Sequence, residues 1–374
     1  MNRSAARDAA TQFKTTNGAA RLRFATTSVA DRDELFSDLA LRVRRPLLEW
    51  FDESQRDLPW RLSCDAYSVW VSEIMCQQTQ VATVIPYFER WMAAFPTVDD
   101  LAAADLDDVL TYWAGLGYYR RARFLHRAAQ VVHNDGLPTS FAEWLKIPGV
   151  GRYTAGAIAS IAHGEVVPVV DGNVDRVLSR LLCVGTEATA SLREKRIWKI
   201  ATALVDNKRP GDFNQSLMEL GATVCTPRSP KCQDCPISSA CDAFAADSVA
   251  DFPPPKKRTK SRTQTTSLFV LRNEGRFGLV QRPSKGLHGG LWEFPSQPGG
   301  DPDITGLFAQ HGIEVSAPRL LADFPHVFSH IQMTYRVFSA DLMTGSVKLR
   351  WVDDVFSLPV SAAMRKAVAI ALAE

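Results

Sequence analysis

IPGVGRYTAG, Ile147 to Gly156, places one proline and two glycines in its first five residues and then continues in small, helix-compatible residues. Glycine suits a backbone that needs positive φ or close approach to a neighbour. Pro148, Gly149, Val150 and Gly151 therefore predict a tight turn whose amides open a helix. Those amides and the helix dipole favour an anion such as phosphate without any lysine. Taken alone, the same residues also fit a plain turn between packed helices. Working outward, LDDVLTYWAGLGYY, FAEWLKI, YTAGAIASIAH and VDRVLSRLL space apolar residues three and four apart. No alternating strand interrupts them from Asp33 to Ala246, so this span reads as all-helical.

Two carboxylates stand out against that helical background. Val174, Val177, Leu178, Leu181 and Leu182 define one helical face, which puts Asp171 at the helix start as an N-cap. Helix amides at that position are expected to depress its pKa and keep it ionised, a fixed charge suited to a cation forming on a substrate. Glu73 has the opposite setting: it is the only charged side chain between Asp65 and Glu89, beside Trp70, Ile74 and Met75. Apolar surroundings raise a carboxyl pKa and suit a general acid at neutral pH. Each residue also has a plain reading, a cap and a surface glutamate. One carboxyl kept protonated and one kept ionised is the arrangement glycosidic cleavage uses.

The chain of 374 residues allows two domains, and its net charge of +2 neither demands nor excludes nucleic acid. No run of eighteen apolar residues exists, which excludes a membrane-spanning helix. Four of the seven cysteines, Cys225, Cys232, Cys235 and Cys241, fall within seventeen residues at C-x6-C-x2-C-x5-C spacing. An odd count without a secretory signal argues for a metal site in a reducing compartment, intracellular and cytoplasmic if the source is bacterial. A four-cysteine zinc site and a [4Fe–4S] cluster both fit the spacing. Residues 1–32, poor in acids, read as a disordered extension. Residues 247–266, with three prolines and a basic run, read as an extended linker. Beyond it, SLFVLRNEGRFGLVQRP predicts two strands around a turn, HIQMTYRVFSADL a further strand, and ITGLFAQHGI and SAAMRKAVAIALAE helices. An all-α unit thus precedes a smaller α+β unit.

LKIPGVGRYTAG followed by VVDGNV resembles the helix-hairpin-helix and catalytic aspartate of base-excision DNA glycosylases. WVSEIMCQQTQVATVIPYFERW and WAGLGYYRRAR resemble one branch of them, the adenine DNA glycosylase (MutY) family, over nearly the whole chain after the extension. The resemblance implies a mostly α helix-hairpin-helix glycosylase domain over 33–246 with an iron–sulfur loop at 225–241, so the four cysteines are expected to hold a [4Fe–4S] cluster. A lysine nucleophile occupies the Tyr153 position in the related endonuclease III branch; tyrosine there implies a monofunctional enzyme, with Glu73, Asp171, Asn173 and Tyr153 as catalytic residues. Glu73 would protonate adenine N7, Asp171 would stabilise the sugar cation, and Asn173 would orient water or Asp171. Base excision in a duplex requires flipping the nucleotide out. By resemblance Gln78 and Tyr118 are wedge candidates, Arg120, Arg121 and Arg123 meet DNA backbone, Arg228 and Lys231 reach phosphate, and Trp60, Arg61 and Gln215 line the adenine pocket.

GLHGGLWEFPSQPGG to FAQHGIEV resembles a Nudix fold, so 267–374 is expected to be an α+β Nudix-like domain. Its helix lacks the Glu-rich magnesium box: Gln310, His311 and Gly312 stand where acids belong, and Glu293 reads as structural. In the family this domain reads 8-oxoguanine opposite the adenine, and FPHVFSHIQ resembles its recognition loop, with Phe328, Ser329 and His330 as contacts. The expected partner is double-stranded DNA with A:8-oxoguanine or A:G mispairs, bound by a monomer. The rival readings are a bifunctional pyrimidine-lesion glycosylase, a catalytically silent lesion binder and a Nudix hydrolase. Lysine is absent at 153, both carboxylates are present, and the acidic box is missing, which count against them in turn.

Overall fold

The computed structural model describes residues 29–185, 187, 189–255, 261–328, 331–345 and 349–373. In chain order the helices are α1 (Val29–Ser54), α2 (Ala66–Cys76), α3 (Val81–Ala94), α4 (Val98–Ala103), α5 (Leu106–Trp113), α6 (Arg120–Asp135) and α7 (Phe141–Trp144). They continue with α8 (Arg152–His163), α9 (Gly172–Leu181), α10 (Ala190–Leu204), α11 (Pro210–Thr223) and α12 (Asp242–Ala245). Among the described residues no strand occurs before Arg262, as the helical periodicity requires. Two compact units result, both discontinuous: residues 1–73 with 137–256, and 74–136 with 257–374.

In the first unit α1, α9, α10 and α11 bury one core, in which Val43, Leu47, Val174, Leu178, Leu181, Ile200, Phe213 and Leu220 lose nearly all contact with water. Helix α1 begins at Val29, four residues ahead of the expected domain start. The turn into α8 forms as read: Gly149 adopts φ 83°, which an L side chain resists, and Val150 N donates to Ile147 O at 3.1 Å. Gly151 is the N-cap of α8 and supplies no side-chain acceptor, so the first amides of the helix stay open.

In the second unit the sheet runs β3 (Trp292–Glu293), β2 (Arg276–Gln281), β1 (Arg262–Asn273), β7 (Ile331–Thr344), β5 (Glu314–Val315); β4 (Ser296–Pro298) pairs with β1, β6 (Arg319–Val327) with β7 and β8 (Arg350–Val352) with β2. Strand β1 pairs parallel to β7 and antiparallel to β2. The β1–β2 turn is Glu274–Gly275, both at positive φ, as a tight two-residue hairpin requires. Leu268 and Val270 pack on one side with α14 (Ala362–Leu372), and Phe269 and Leu271 on the other with Leu307 of α13 (Ile304–His311). Both faces are therefore covered, which explains why β1 is apolar on successive residues rather than on alternate ones.

The expected linker is corrected at both ends. Strand β1 already begins at Arg262. At the other end Ser248 and Phe252 are buried, and Arg180 Nε donates to Phe252 O at 3.0 Å. An aromatic side chain with a core to enter does not stay solvated. The basic run 256–260 lies outside the described residues.

Candidate active site and cluster loop

Glu73 projects from α2 and Tyr153 from the first turn of α8, and the Tyr153 hydroxyl donates to Glu73 Oε2. The same hydroxyl lies 3.4 Å from Met218 Sδ. Burial raises the Glu73 carboxyl to about 7; the Tyr153 hydrogen bond works against that, the nearby Asp171 charge adds to it, and Arg61 opposes it. Asp171 caps α9 as expected, accepting from Val174 N at 2.7 Å, and its second oxygen accepts from Asn173 Nδ2 at 2.9 Å. Its expected pKa is corrected, however. Burial outweighs the Val174, Asn173 and Arg176 contributions, and the carboxyl is raised, not depressed.

Neither Arg176 nor Gly221 was singled out in the sequence. Arg176 Nη2 donates to Asn173 Oδ1 at 2.8 Å and to Gly221 O at 2.7 Å, and its Nε donates to Cys225 O at 2.8 Å. It therefore joins the residue holding Asp171 to the first cysteine of the cluster loop. A Cβ on Gly221 would lie 2.6 Å from Asn173 Cβ, so only glycine lets α11 approach α9 so closely. Nothing in the local sequence marks either residue.

Two of the three expected pocket residues meet directly: Arg61 Nε donates to Gln215 Oε1 at 3.0 Å. Arg61 Nη2 also pairs with Glu219 at 2.9 Å, and Arg56 reaches the other Glu219 oxygen at 2.5 Å. Burial pushes the Glu219 carboxyl up, but the Arg56 hydrogen bond and the Arg61 charge outweigh it and hold the group below its ordinary range. Trp60 is half-buried in the same short turn, Pro59–Arg61. Glu219, 1% exposed, is the anchor of this corner and was not foreseen.

Cys225, Cys232, Cys235 and Cys241 line one small cavity, walled by Val177, Leu181, Leu220 and Ile237. Among the described residues no group of three or more His, Cys, Asp or Glu converges to hold a single metal ion. Four thiols lining one cavity form the donor set that either a tetrahedral zinc or a [4Fe–4S] cluster takes. Arg180 Nη1 donates to Cys225 Sγ at 3.3 Å, a charge-assisted contact suited to thiolate. Burial pushes the Cys235 thiol up to about 11 and Cys241 up to about 12, so thiolates there need the positive charge of a bound metal centre. Arg228 and Lys231 are exposed on the same loop.

In the second unit Gln78 and Tyr118 sit at φ 57° and 47°, a backbone region costly for non-glycine residues and found often at functional sites. Tyr118 is 44% exposed. Arg121 was expected on phosphate and is corrected: its Nη1 donates to Ile74 O at 2.8 Å, Met75 O at 2.9 Å and Gln77 O, and its Nη2 to Thr79 Oγ1 at 3.2 Å and to Leu116 O and Gly117 O, each at 3.4 Å. It clamps the two wedge-bearing loops together. Arg123 is also turned inward, its Nη1 buried without a partner, whereas Arg120 is exposed. Glu293 is tied to Arg282 at 2.6 and 2.7 Å, a structural pair, and α13 carries no carboxylate. Phe328 closes the β6–β7 hairpin, its N donating to Ile331 O at 2.8 Å; Ser329 and His330 lie outside the described residues.

Comparisons with known proteins match this geometry. A profile described as "HhH-GPD superfamily base excision DNA repair protein" covers residues 71–203. One described as "Iron-sulfur binding domain of endonuclease III" covers 225–241, and a "NUDIX domain" profile covers 267–369. The adenine DNA glycosylase of Rattus norvegicus is 42% identical, aligned over 89% of this chain and 78% of its own. The chain belongs to the adenine DNA glycosylase family. The human enzyme is 40% identical over 89% of this chain and 74% of its own. The structure of a thermostable thymine-DNA glycosylase aligns at 28% identity and TM-score 0.52, covering 56% of this chain and 98% of that one. The chain is thus a DNA N-glycosylase of base-excision repair whose cluster is [4Fe–4S] and whose substrate is DNA. Among the described residues no helix is long and apolar enough to cross a membrane.

Proposed function

We propose that this glycosylase hydrolyses the N-glycosidic bond of adenine opposite 8-oxoguanine or guanine, acting as a monomer and without cutting the strand. The observation that carries the reading is an acid held near neutral pH by burial and bonded to Tyr153, within reach of the charge of a capped aspartate. Asp171 receives two donated hydrogen bonds and Glu73 one, which supports the first proton of the pair residing on Glu73.

Glu73 donates that proton to adenine N7. The C1′–N9 bond breaks with its electron pair leaving on the now neutral base, and Asp171 stabilises the sugar cation or bonds transiently to C1′. Glu73, ionised, then takes a proton from the water that attacks C1′, restoring the acid and releasing Asp171 with net retention. Asn173 holds Asp171 in place for both steps. A phenol forms no Schiff base, so Tyr153 supports release without strand scission. Trp60, Arg61 and Gln215 wall the adenine pocket, and the open amides after Pro148–Gly151 take a phosphate. Gln78 and Tyr118 fill the vacated stack beside Arg120. In the 33–246 domain Cys225, Cys232, Cys235 and Cys241 would hold the [4Fe–4S] cluster, which would cross-link the 225–241 loop that carries Arg228 and Lys231 toward DNA. The 267–374 domain reads 8-oxoguanine with Phe328, Ser329 and His330.

The test is a panel of duplexes holding A opposite 8-oxoguanine, A opposite G, or an oxidised pyrimidine, with base release and strand nicking scored separately. Adenine release without direct nicking is expected. Pyrimidine release with nicking refutes the reading.

A further inference from the structure

Residues 283–291, between β2 and β3, form a tight loop: Gly290 N donates to Arg282 O at 3.2 Å and to Pro283 O at 3.1 Å, and Leu291 N to His288 O at 3.1 Å. Three of its residues have left-handed backbone. Two are Gly286 and Gly290, at φ 98° and 78°; the third is His288, at φ 54°. A third glycine would meet the backbone requirement more cheaply, so the imidazole itself has work to do there.

The ring meets two aromatic side chains. It meets Phe328 of the β6–β7 hairpin edge-to-face at 5.3 Å, and Tyr119 near-perpendicularly at 6.1 Å. His326 also meets Phe328, edge-to-face at 4.6 Å. Tyr119 is buried directly after the wedge candidate Tyr118; its hydroxyl accepts from Gly115 N at 3.2 Å and donates to Val360 O at 3.4 Å. The same loop meets α6 again at Gly290, where a Cβ would lie 3.0 Å from Arg123 Nη1. Burial, reinforced by the Arg282 and His326 charges, pushes the imidazole down to about 4. It therefore packs at neutral pH as an uncharged aromatic plate.

We infer that His288 is a positioning residue for mispair discrimination: its ring seats the Phe328 hairpin against Tyr119, so the base read by the hairpin and the loop bearing Tyr118 hold one geometry. This rests on the reading of the second domain as the 8-oxoguanine reader. His288 acts through Phe328 and Tyr119 rather than on the base itself.

The test uses His288→Asn, which keeps a residue tolerant of left-handed backbone and deletes the ring, and His288→Phe, which keeps a ring. Single-turnover adenine release is measured for each full-length protein on A:8-oxoguanine and A:G duplexes, and the ratio of the two rates is taken within one preparation, so any inactive fraction cancels. The preference for 8-oxoguanine is expected to fall roughly fivefold in His288→Asn, the worth of about one aromatic pair, and to return to within about twofold of the wild type in His288→Phe. A wild type that discriminates beside a His288→Asn protein with an unchanged ratio overturns the inference. A wild type that does not discriminate overturns the reading of the domain, and the inference with it.

Discussion

Replacing Tyr153 with phenylalanine removes one proton donor from Glu73 and leaves the ring packed in α8. A hydrogen bond donated to a carboxylate favours its ionised form, and here it is the largest influence opposing burial. Such a bond to a charged group is worth about 1.5–3 kcal/mol, or roughly one to two pH units, and water entering the gap returns part of it. The Glu73 midpoint is therefore expected to move from about 7 to roughly one unit higher. If base release needs protonated Glu73, its rate falls above that midpoint. At pH 8.5 the wild type should retain about 3% of its own low-pH plateau and Tyr153→Phe about 24%, by simple titration of one group. The assay is single-turnover adenine release across pH 5.5–9, each enzyme normalised to its plateau. A descending limb that stays put or moves to lower pH refutes the assignment of Glu73 as the titrating acid bonded to Tyr153.

Gly221→Ala forces a methyl into Asn173, since the new Cβ would lie 2.6 Å from Asn173 Cβ; release should slow and stability should drop by about 1–3 kcal/mol, read by single-turnover kinetics and denaturant unfolding. Arg121→Lys keeps the charge but loses the planar fork that spans both loops. Affinity for the mispaired duplex should fall by about tenfold or more, the cost of one charged hydrogen bond or more, and unchanged binding contradicts the clamp. Glu73→Gln should stabilise the fold at pH 8 and not at pH 4.5. A folded pKa of about 7 against 4.5 unfolded favours the native state at low pH, and that stability is lost as pH rises through 7. Discounted for partial accessibility, the gain at pH 8 is about 2 kcal/mol.

Much of this was readable from residue order, for identifiable reasons. The Gly149 turn, the cap at Asp171 and the helices around them depend on neighbours a few residues away, and local pattern suffices for such features. The apolar setting of Glu73 was legible because Trp70, Ile74 and Met75 lie on its own helix. The four cysteines announce a metal site through spacing alone. What escaped depends on distant packing. Arg120, Arg121 and Arg123 look alike in RRAR, and only the placement of Gln77 and Gly117 around α6 shows that the second is a clamp and the first exposed. The Asp171 cap was visible, but the burial that overrides its effect on the carboxyl was not. Phe252 reads as linker until Arg180 is seen holding its carbonyl.

The central claim is that Glu73 delivers the proton on which adenine departure depends. Glu73→Gln keeps the shape and removes the acid, so the direct measurement is single-turnover release from an A:8-oxoguanine duplex alongside binding to the same duplex. Binding within a few-fold of the wild type and release slower by about 100- to 10,000-fold are predicted, the range for loss of a general acid. Release within about tenfold of the wild type, well short of that range, would contradict the account.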